Sequence, residues 1–146
     1  MSAASPFHVL LVDDEPDELL LLHRAFTAVA PQVRVTELTS CAKVVPFLRA
    51  AGRAGAPNLV LMDLNMPGMD GHEALASIRS DPKFGNTPII IFSATESRAA
   101  IARSYMLRAN SHVAKPADYQ HLKKIVASIV DYWSQTVLTP PAQPKK

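Results

Sequence analysis

The sequence predicts an α/β domain built on a five-stranded parallel sheet with helices on both faces. Three observations predict it. Short apolar runs rich in Val, Leu and Ile alternate with stretches of helical period, strand then helix, five times over. Hydrophobic residues make up 48% of the chain and aromatic ones only 6%, so the core is aliphatic, as such domains usually have. The length of 146 residues corresponds to one domain, large enough to bury a core without staples.

Phe7 to Val12 is the first strand, too short for a helix and apolar throughout. Leu19, Leu22, Phe26 and Val29 recur at three and four residues and mark the first helix. Gln32 to Leu38 alternates, with Val33 and Val35 set against Arg34 and Thr36, and reads as an edge strand with one solvated face. Val44, Val45 and Leu48 place the second helix, and Asn58 to Met62 the third strand. Leu75 and Ile78 mark a short third helix, Pro88 to Phe92 the fourth strand, and Ile101 with Tyr105 the fourth helix. Ser111 to Ala114 is a fifth strand, read as buried. The last helix carries the clearest stripe: Leu122, Ile125, Val126, Ile129, Val130 and Trp133. Leu20 and Leu21 fall off the first helix's stripe and are expected to be exposed. With Trp133, Val137 and Leu138 they are a candidate self-association surface. Residues 1–134 form the domain, and 135–146, with Pro140, Pro141 and Pro144, an extension ending in a disordered tail.

Charge excludes some functions. Fifteen Lys and Arg against thirteen Asp and Glu leave +2, which Lys145 and Lys146 alone account for, so nothing draws the chain to nucleic acid or an anionic membrane. The apolar runs are far short of a membrane span, no secretory leader is visible, and Cys41 has no disulfide partner; a cytoplasmic protein is expected. The informative feature is local: Asp13, Asp14, Glu15, Asp17 and Glu18 crowd into six positions.

In open parallel sheets ligands bind beyond the carboxyl ends of the strands. Asp13 and Asp14 follow the first strand, Asp63 the third, Ser93 closes the fourth and Lys115 the fifth. Their separations of 50, 30 and 22 residues fit two β-α units, then one, then one, so all project from one edge of the sheet. Three carboxylates there remain ionised at neutral pH only around a cation, and an all-oxygen set suits Mg²⁺. A hydroxyl and an ammonium facing it complete a receptor for a phosphoryl group. Glu15, Asp17 and Glu18 have a simpler reading, as acids that favour a helix N-terminus beside Pro16.

Val9 to Glu15, Leu61 to Gly71, Phe92-Ser93-Ala94 and Val113 to Pro116 resemble the four signatures of the response-regulator receiver domain of two-component signalling. The resemblance covers about residues 6–133 and implies a flavodoxin-like (βα)5 fold with strand order 2-1-3-4-5. It implies Asp63 as phosphoacceptor, Asp13 and Asp14 as Mg²⁺ acids with the Asn65 backbone carbonyl, Lys115 as the phosphoryl-binding cation and Ser93 as the hydroxyl that moves on activation. It also implies a cis Lys115-Pro116 peptide. Arg103-Ser-Tyr105, Ala109-Asn-Ser111 and the ending Asp131-Tyr-Trp133 resemble stand-alone regulators that partner bacterial phytochromes. That implies a sensor histidine kinase as donor, a homodimer through the last two helices and the C-terminal extension, and output through a partner such as a histidine phosphotransfer protein, with no role for nucleic acid or membrane.

Two positions depart from the family pattern. His112 stands where receivers carry Tyr or Phe as a rotameric switch. Two readings stay open: a histidine that turns inward when Asp63 is phosphorylated, or a tolerated surface residue. Arg108 stands where Gly is common after the fourth helix; a positive φ there would cost about 1 kcal/mol. His8, His23, His72 and His121 lack metal-ligand spacing and are read as surface or boundary residues, and Cys41 as structural. Two other functions compete with a non-enzymatic phosphoacceptor. A Mg²⁺ phosphatase of the haloacid dehalogenase kind would need an acid two residues after its nucleophile, where this chain has Asn65. A scaffold that is never phosphorylated would not need the full set of acids, hydroxyl and lysine.

Overall fold

The computed structural model describes residues 6–139. The tail from Pro140, read above as disordered, lies outside the described residues. Five strands and five helices alternate: β1 (His8–Val12), α1 (Pro16–Val29), β2 (Arg34–Leu38), α2 (Val44–Gly55), β3 (Leu59–Met62), α3 (Gly71–Ser80), β4 (Ile89–Ser93), α4 (Arg98–Met106), β5 (Ser111–Ala114) and α5 (Tyr119–Asp131). A short 3-10 turn, Cys41–Lys43, precedes α2, and a π-helical turn, Tyr132–Thr136, continues α5. The sheet is wholly parallel with order β2-β1-β3-β4-β5. This is the order the sequence implied.

Because strand side chains alternate, each central strand feeds two cores. Val9, Leu11, Leu61, Ile90 and Phe92 face α1 and α5, against Leu22, Phe26 and Val126. Leu10, Val12, Met62, Ile89 and Ile91 face the opposite side, against Val44, Leu48, Leu75 and Ile78. Each fully buried Leu or Ile contributes about 1.5–3 kcal/mol. β2 is a half-solvated edge, as its alternation predicted. β5 was expected to be buried. All four of its residues are instead half-buried, because it forms the other edge and pairs only with β4.

Helix ends follow local chemistry. Glu15 occupies the N-cap position of α1 without a side-chain capping bond, Pro16 stands in the first turn, and Asp17 and Glu18 lie beside the positive end of the dipole, so the simple reading of those acids holds locally. Asp70 and Glu73 form a reciprocal capping box at the start of α3. α4 ends at Arg108, whose φ is 70°. Ala109 N–H donates to Ser104 O and Arg108 N–H to Tyr105 O, both at 2.9 Å, which closes a Schellman motif around that left-handed residue. The expected cis Lys115-Pro116 peptide is not present: no cis bond occurs among the described residues. Even before proline the tertiary amide retains an intrinsic preference for trans.

Candidate functional site

The strand order reverses between β1 and β3, and the crevice at their carboxyl ends holds the acids. Asp13 N–H donates to Leu38 O at 3.1 Å and Asp63 N–H to Val12 O at 3.0 Å, so backbone pairing fixes both residues one step beyond their strands. Asp13, Asp14 and Asp63 offer carboxylate oxygens that all lie within 4.8 Å of one another. Asp13 is 3% exposed and Asp63 8%, while Asp14 is half-buried at the mouth.

Lys115 reaches this cluster from the end of β5. Its Nζ donates to Asp13 Oδ2 at 2.7 Å and stands 3.5 Å from Asp63 Oδ2 and 3.8 Å from Glu18 Oε2. Its backbone N–H bonds Ser93 O at 3.0 Å, which ties the ends of β4 and β5. Asp63 Oδ1 accepts from Leu64 N–H at 2.8 Å, and Asp13 Oδ1 from Glu15 N–H at 3.0 Å. Ser93 is fully buried, and its Oγ accepts from Thr95 N–H at 3.4 Å. Asn65 is exposed, two residues past Asp63, and the loop's backbone hydrogen bonds among the described residues leave its carbonyl unused.

Burial pushes the Asp63 carboxyl above the ordinary aspartate range; the Lys115 charge pulls it back, and Asp13 adds to the rise. For Lys115, burial works against the ammonium, but the Asp13 hydrogen bond and the Asp63 charge outweigh it and hold the group above the usual lysine range. The negative field reaches Cys41. Burial raises that thiol to about 12, with Asp63, Asp70, Asp14 and Asp13 adding to the shift. Such a thiol is inert, and its Sγ packs 3.3 Å from Met66 Sδ, as a structural reading requires.

The structure thus brings Asp13, Asp14, Asp63 and Lys115 together, with Ser93 beneath and Asn65 at the rim. It adds residues that the spacing did not mark. Glu18, assigned to the helix dipole alone, also faces Lys115. Gly71 N–H donates to Leu64 O at 3.0 Å, and a Cβ on it would overlap the Asp63 carbonyl and meet Leu64 Cα at 3.0 Å, so only glycine lets α3 start against the Asp63 loop. Two histidines read as surface or boundary residues are buried: His8, 4% exposed, bonds Thr36 Oγ1 at 2.8 Å, and His72, 6% exposed, bonds Ser104 Oγ at 2.8 Å. His72 lies at three-residue spacing from Leu75 and Ile78, a helical signal for its burial. His112 is half-buried with its ring fixed on α4: Nδ1 is 2.9 Å from Ser104 Oγ and Nε2 3.4 Å from Thr95 O.

Residues 9–127 match the family model of the response regulator receiver domain. The chain belongs to the receiver family. This receiver is 31% identical over 135 residues to the probable methanogenesis regulatory protein FilR2 of Methanothrix harundinacea, covering 91% of this chain and 87% of that one. It is 29% identical over 140 residues to response regulator Rcp1 of Synechocystis sp., covering 94% of this chain and 95% of Rcp1. The Mn²⁺-bound form of Rcp1 superposes with a TM-score of 0.80 and 27% identity, covering 93% of this receiver and all of that chain. The phosphorylated cyanobacterial phytochrome response regulator RcpA superposes with a TM-score of 0.85 and 30% identity, covering 94% of this receiver and all of RcpA.

Proposed function

We propose that this receiver is a single-domain response regulator that accepts a phosphoryl group on Asp63 from a sensor histidine kinase, in a reaction that needs Mg²⁺. The observation that carries this reading is the buried cluster of Asp13, Asp14 and Asp63, spanned by Lys115 at 2.7 and 3.5 Å. The donor set fits a hard divalent cation: three carboxylates within 4.8 Å of one another, two of them nearly buried, with one ammonium among them. Asp13, Asp14, Asp63 and the Asn65 carbonyl would hold the ion. When bound, it supplies neutralisation of the phosphoryl oxygens. The Mn²⁺-bound form of Rcp1 supports a divalent site of this kind.

Asp63 Oδ1 is occupied by the Leu64 amide, which leaves Oδ2, the oxygen facing Lys115, as nucleophile. The Oδ2–P bond forms as the N–P bond to the kinase histidine breaks, and the imidazole keeps the electron pair. Lys115 stays charged across neutral pH and exchanges its Asp13 contact for the phosphoryl oxygens. The Ser93 hydroxyl moves to the same oxygens, and the repacking of the loop to α4 changes a partner surface. Water later cleaves the acyl phosphate and resets Asp63. The chain is thus a phosphoacceptor that assists its own turnover rather than an enzyme acting on other substrates.

Similarity to the phytochrome response regulator RcpA supports a bacterial phytochrome as the kinase. The reading further includes a homodimer through α4, α5 and the C-terminal extension, 135–146, where Leu138 is exposed, and output to a partner such as a histidine phosphotransfer protein. The experiment is incubation with acetyl phosphate and Mg²⁺. A mass gain of one phosphoryl group, lost on adding EDTA and in Asp63→Asn, is expected. Multiple-turnover release of phosphate from simple phosphomonoesters would overturn the reading, as would equal labelling of Asp63→Asn.

A further inference from the structure

A chain of side chains outside the acidic site leads back to it. His72 on α3, Ser104 on α4 and His112 on β5 meet at the Ser104 hydroxyl, 2.8 Å from His72 Nε2 and 2.9 Å from His112 Nδ1. Ser104 is fully buried and His72 nearly so. The other ring nitrogen of His112 lies 3.4 Å from Thr95 O, and Thr95 N–H donates to Ser93 Oγ at 3.4 Å. Three elements are therefore linked to the loop that carries the Ser93 hydroxyl.

Proton counting gives the chain a direction. Thr95 O can only accept, so a hydrogen bond across this contact is one that His112 Nε2–H donates. In neutral His112, Nδ1 is then an acceptor and takes the Ser104 proton, and Ser104 Oγ in turn accepts from His72 Nε2–H. The Ala100 carbonyl, 3.1 Å from the same hydroxyl, is the alternative acceptor one helical turn back. With the Ser104 proton on that carbonyl, His112 Nδ1 would carry the ring's proton and Nε2 would have none to give Thr95 O. Burial, reinforced by the Arg103 charge, lowers the pKa of His72, which keeps that ring neutral and the chain in register.

We propose that His72 and Ser104 are positioning residues that hold His112 on the Thr95 carbonyl and so tether the β4–α4 loop in its unphosphorylated arrangement. The Ser93 hydroxyl already bears on the Asp63 carboxyl, and a shift from there onto a phosphoryl group that carries the β4–α4 loop along draws Thr95 against this tether. The proposal rests on the reading of Asp63 as phosphoacceptor. It goes beyond that reading by assigning control of the loop to a buried pair, His72 and Ser104, that touches neither metal nor phosphoryl group.

The test has two independent readouts. In the unmodified wild-type protein, long-range ¹H–¹⁵N spectra of the imidazoles are expected to place a single proton of His112 on Nε2, with Nδ1 an acceptor. Ser104→Ala and His72→Leu, checked for folding by circular dichroism, are expected to shift that pattern and to speed labelling by acetyl phosphate about threefold to tenfold, the loss of one hydrogen bond. His72→Gln, whose amide can donate to Ser104 from the same place, is expected to label at the wild-type rate. An unprotonated His112 Nε2 would overturn the tether, as would folded Ser104→Ala with unchanged imidazole signals and rate. If wild-type Asp63 takes no phosphoryl group the proposed function fails, yet the imidazole pattern still decides the tether, even where a variant does not fold.

Discussion

Asp63 is a carboxylate held against its own preference. A carboxyl whose pKa folding raises favours the folded state while it is protonated; that contribution is complete below the ordinary aspartate range and is lost as pH rises through the raised value. At neutral pH, without divalent metal, the ionised group is therefore a liability. Asp63→Asn is expected to raise the melting temperature by about 2 to 4 °C, the shift that about 1 kcal/mol produces in a domain of this size. An unchanged or lower melting temperature in EDTA would count against the assigned burial. Arg108 is a second residue under strain, with a φ of 70° and its charge set beside Arg79. Arg79 anchors the loops at this end of the sheet through Arg108 O, Gly85 O, Thr87 O and Asn110 Oδ1 at 2.6 to 3.0 Å. Arg108→Gly removes the strain and the repulsion but keeps the carbonyl that Arg79 binds. Thermal melts are expected to show a gain of about 1 kcal/mol; a loss would mean that the Arg108 contact to Arg79 O at 3.3 Å outweighs both.

At the level of elements, the loop from Asp63 to α3 is the least tolerant segment. The start of α3 is set by a capping box, but its distance from the Asp63 carbonyl is set by Gly71. Gly71→Ala is expected to cost about 2 kcal/mol or more, because the added carbon meets backbone that cannot move without displacing Asp63. It is also expected to slow phosphorylation. Gly55→Ala, whose added carbon would make an ordinary 3.4 Å contact with Ala51 Cβ, is the control and is expected to be nearly neutral. Equal melts for the two variants would remove the argument. At the far edge, β5 is short and half-buried, with the His112 N–H donating to the Tyr105 hydroxyl at 3.1 Å. Its exposure follows from its place in the sheet, which a four-residue apolar run does not encode.

For the whole molecule, the exposed apolar surface bears on the proposed dimer. Leu20 and Leu21 are exposed at 55% and 42%, as their place off the stripe predicted, and Leu138 is almost fully exposed. Trp133 does not join them freely: it packs partly against the α1/α5 core, with its ring edge-on to Tyr132 at 5.5 Å. Deleting residues 132–146 is expected to lower the dimer fraction but also the melting temperature. Deleting 137–146 leaves Trp133 in place and is expected to lower the dimer fraction alone. Light scattering that finds an unchanged mass in both truncations would argue against a dimer that uses the extension. Among the described residues no helix is long and apolar enough to cross a membrane.

The order of elements, the placing of Asp13, Asp14, Asp63, Ser93 and Lys115 at strand ends, and the gathering of Glu15, Asp17 and Glu18 at the start of α1 were determined by the sequence itself. Periodicity and strand-end position are local properties, legible wherever the pattern spans a few residues. The tertiary structure alone decided that the Lys115 hydrogen bond goes to Asp13 while its charge also faces Asp63, the second role of Glu18, and the close approach of Gly71. It alone decided the burial of His72 beside Ser104 and His112, residues that lie 32 and 8 positions apart in their respective contacts. These depend on which side chains from distant segments share one desolvated volume. No local pattern records that, because the free energy of a buried polar group is set by its partners in space and not by its neighbours in the chain.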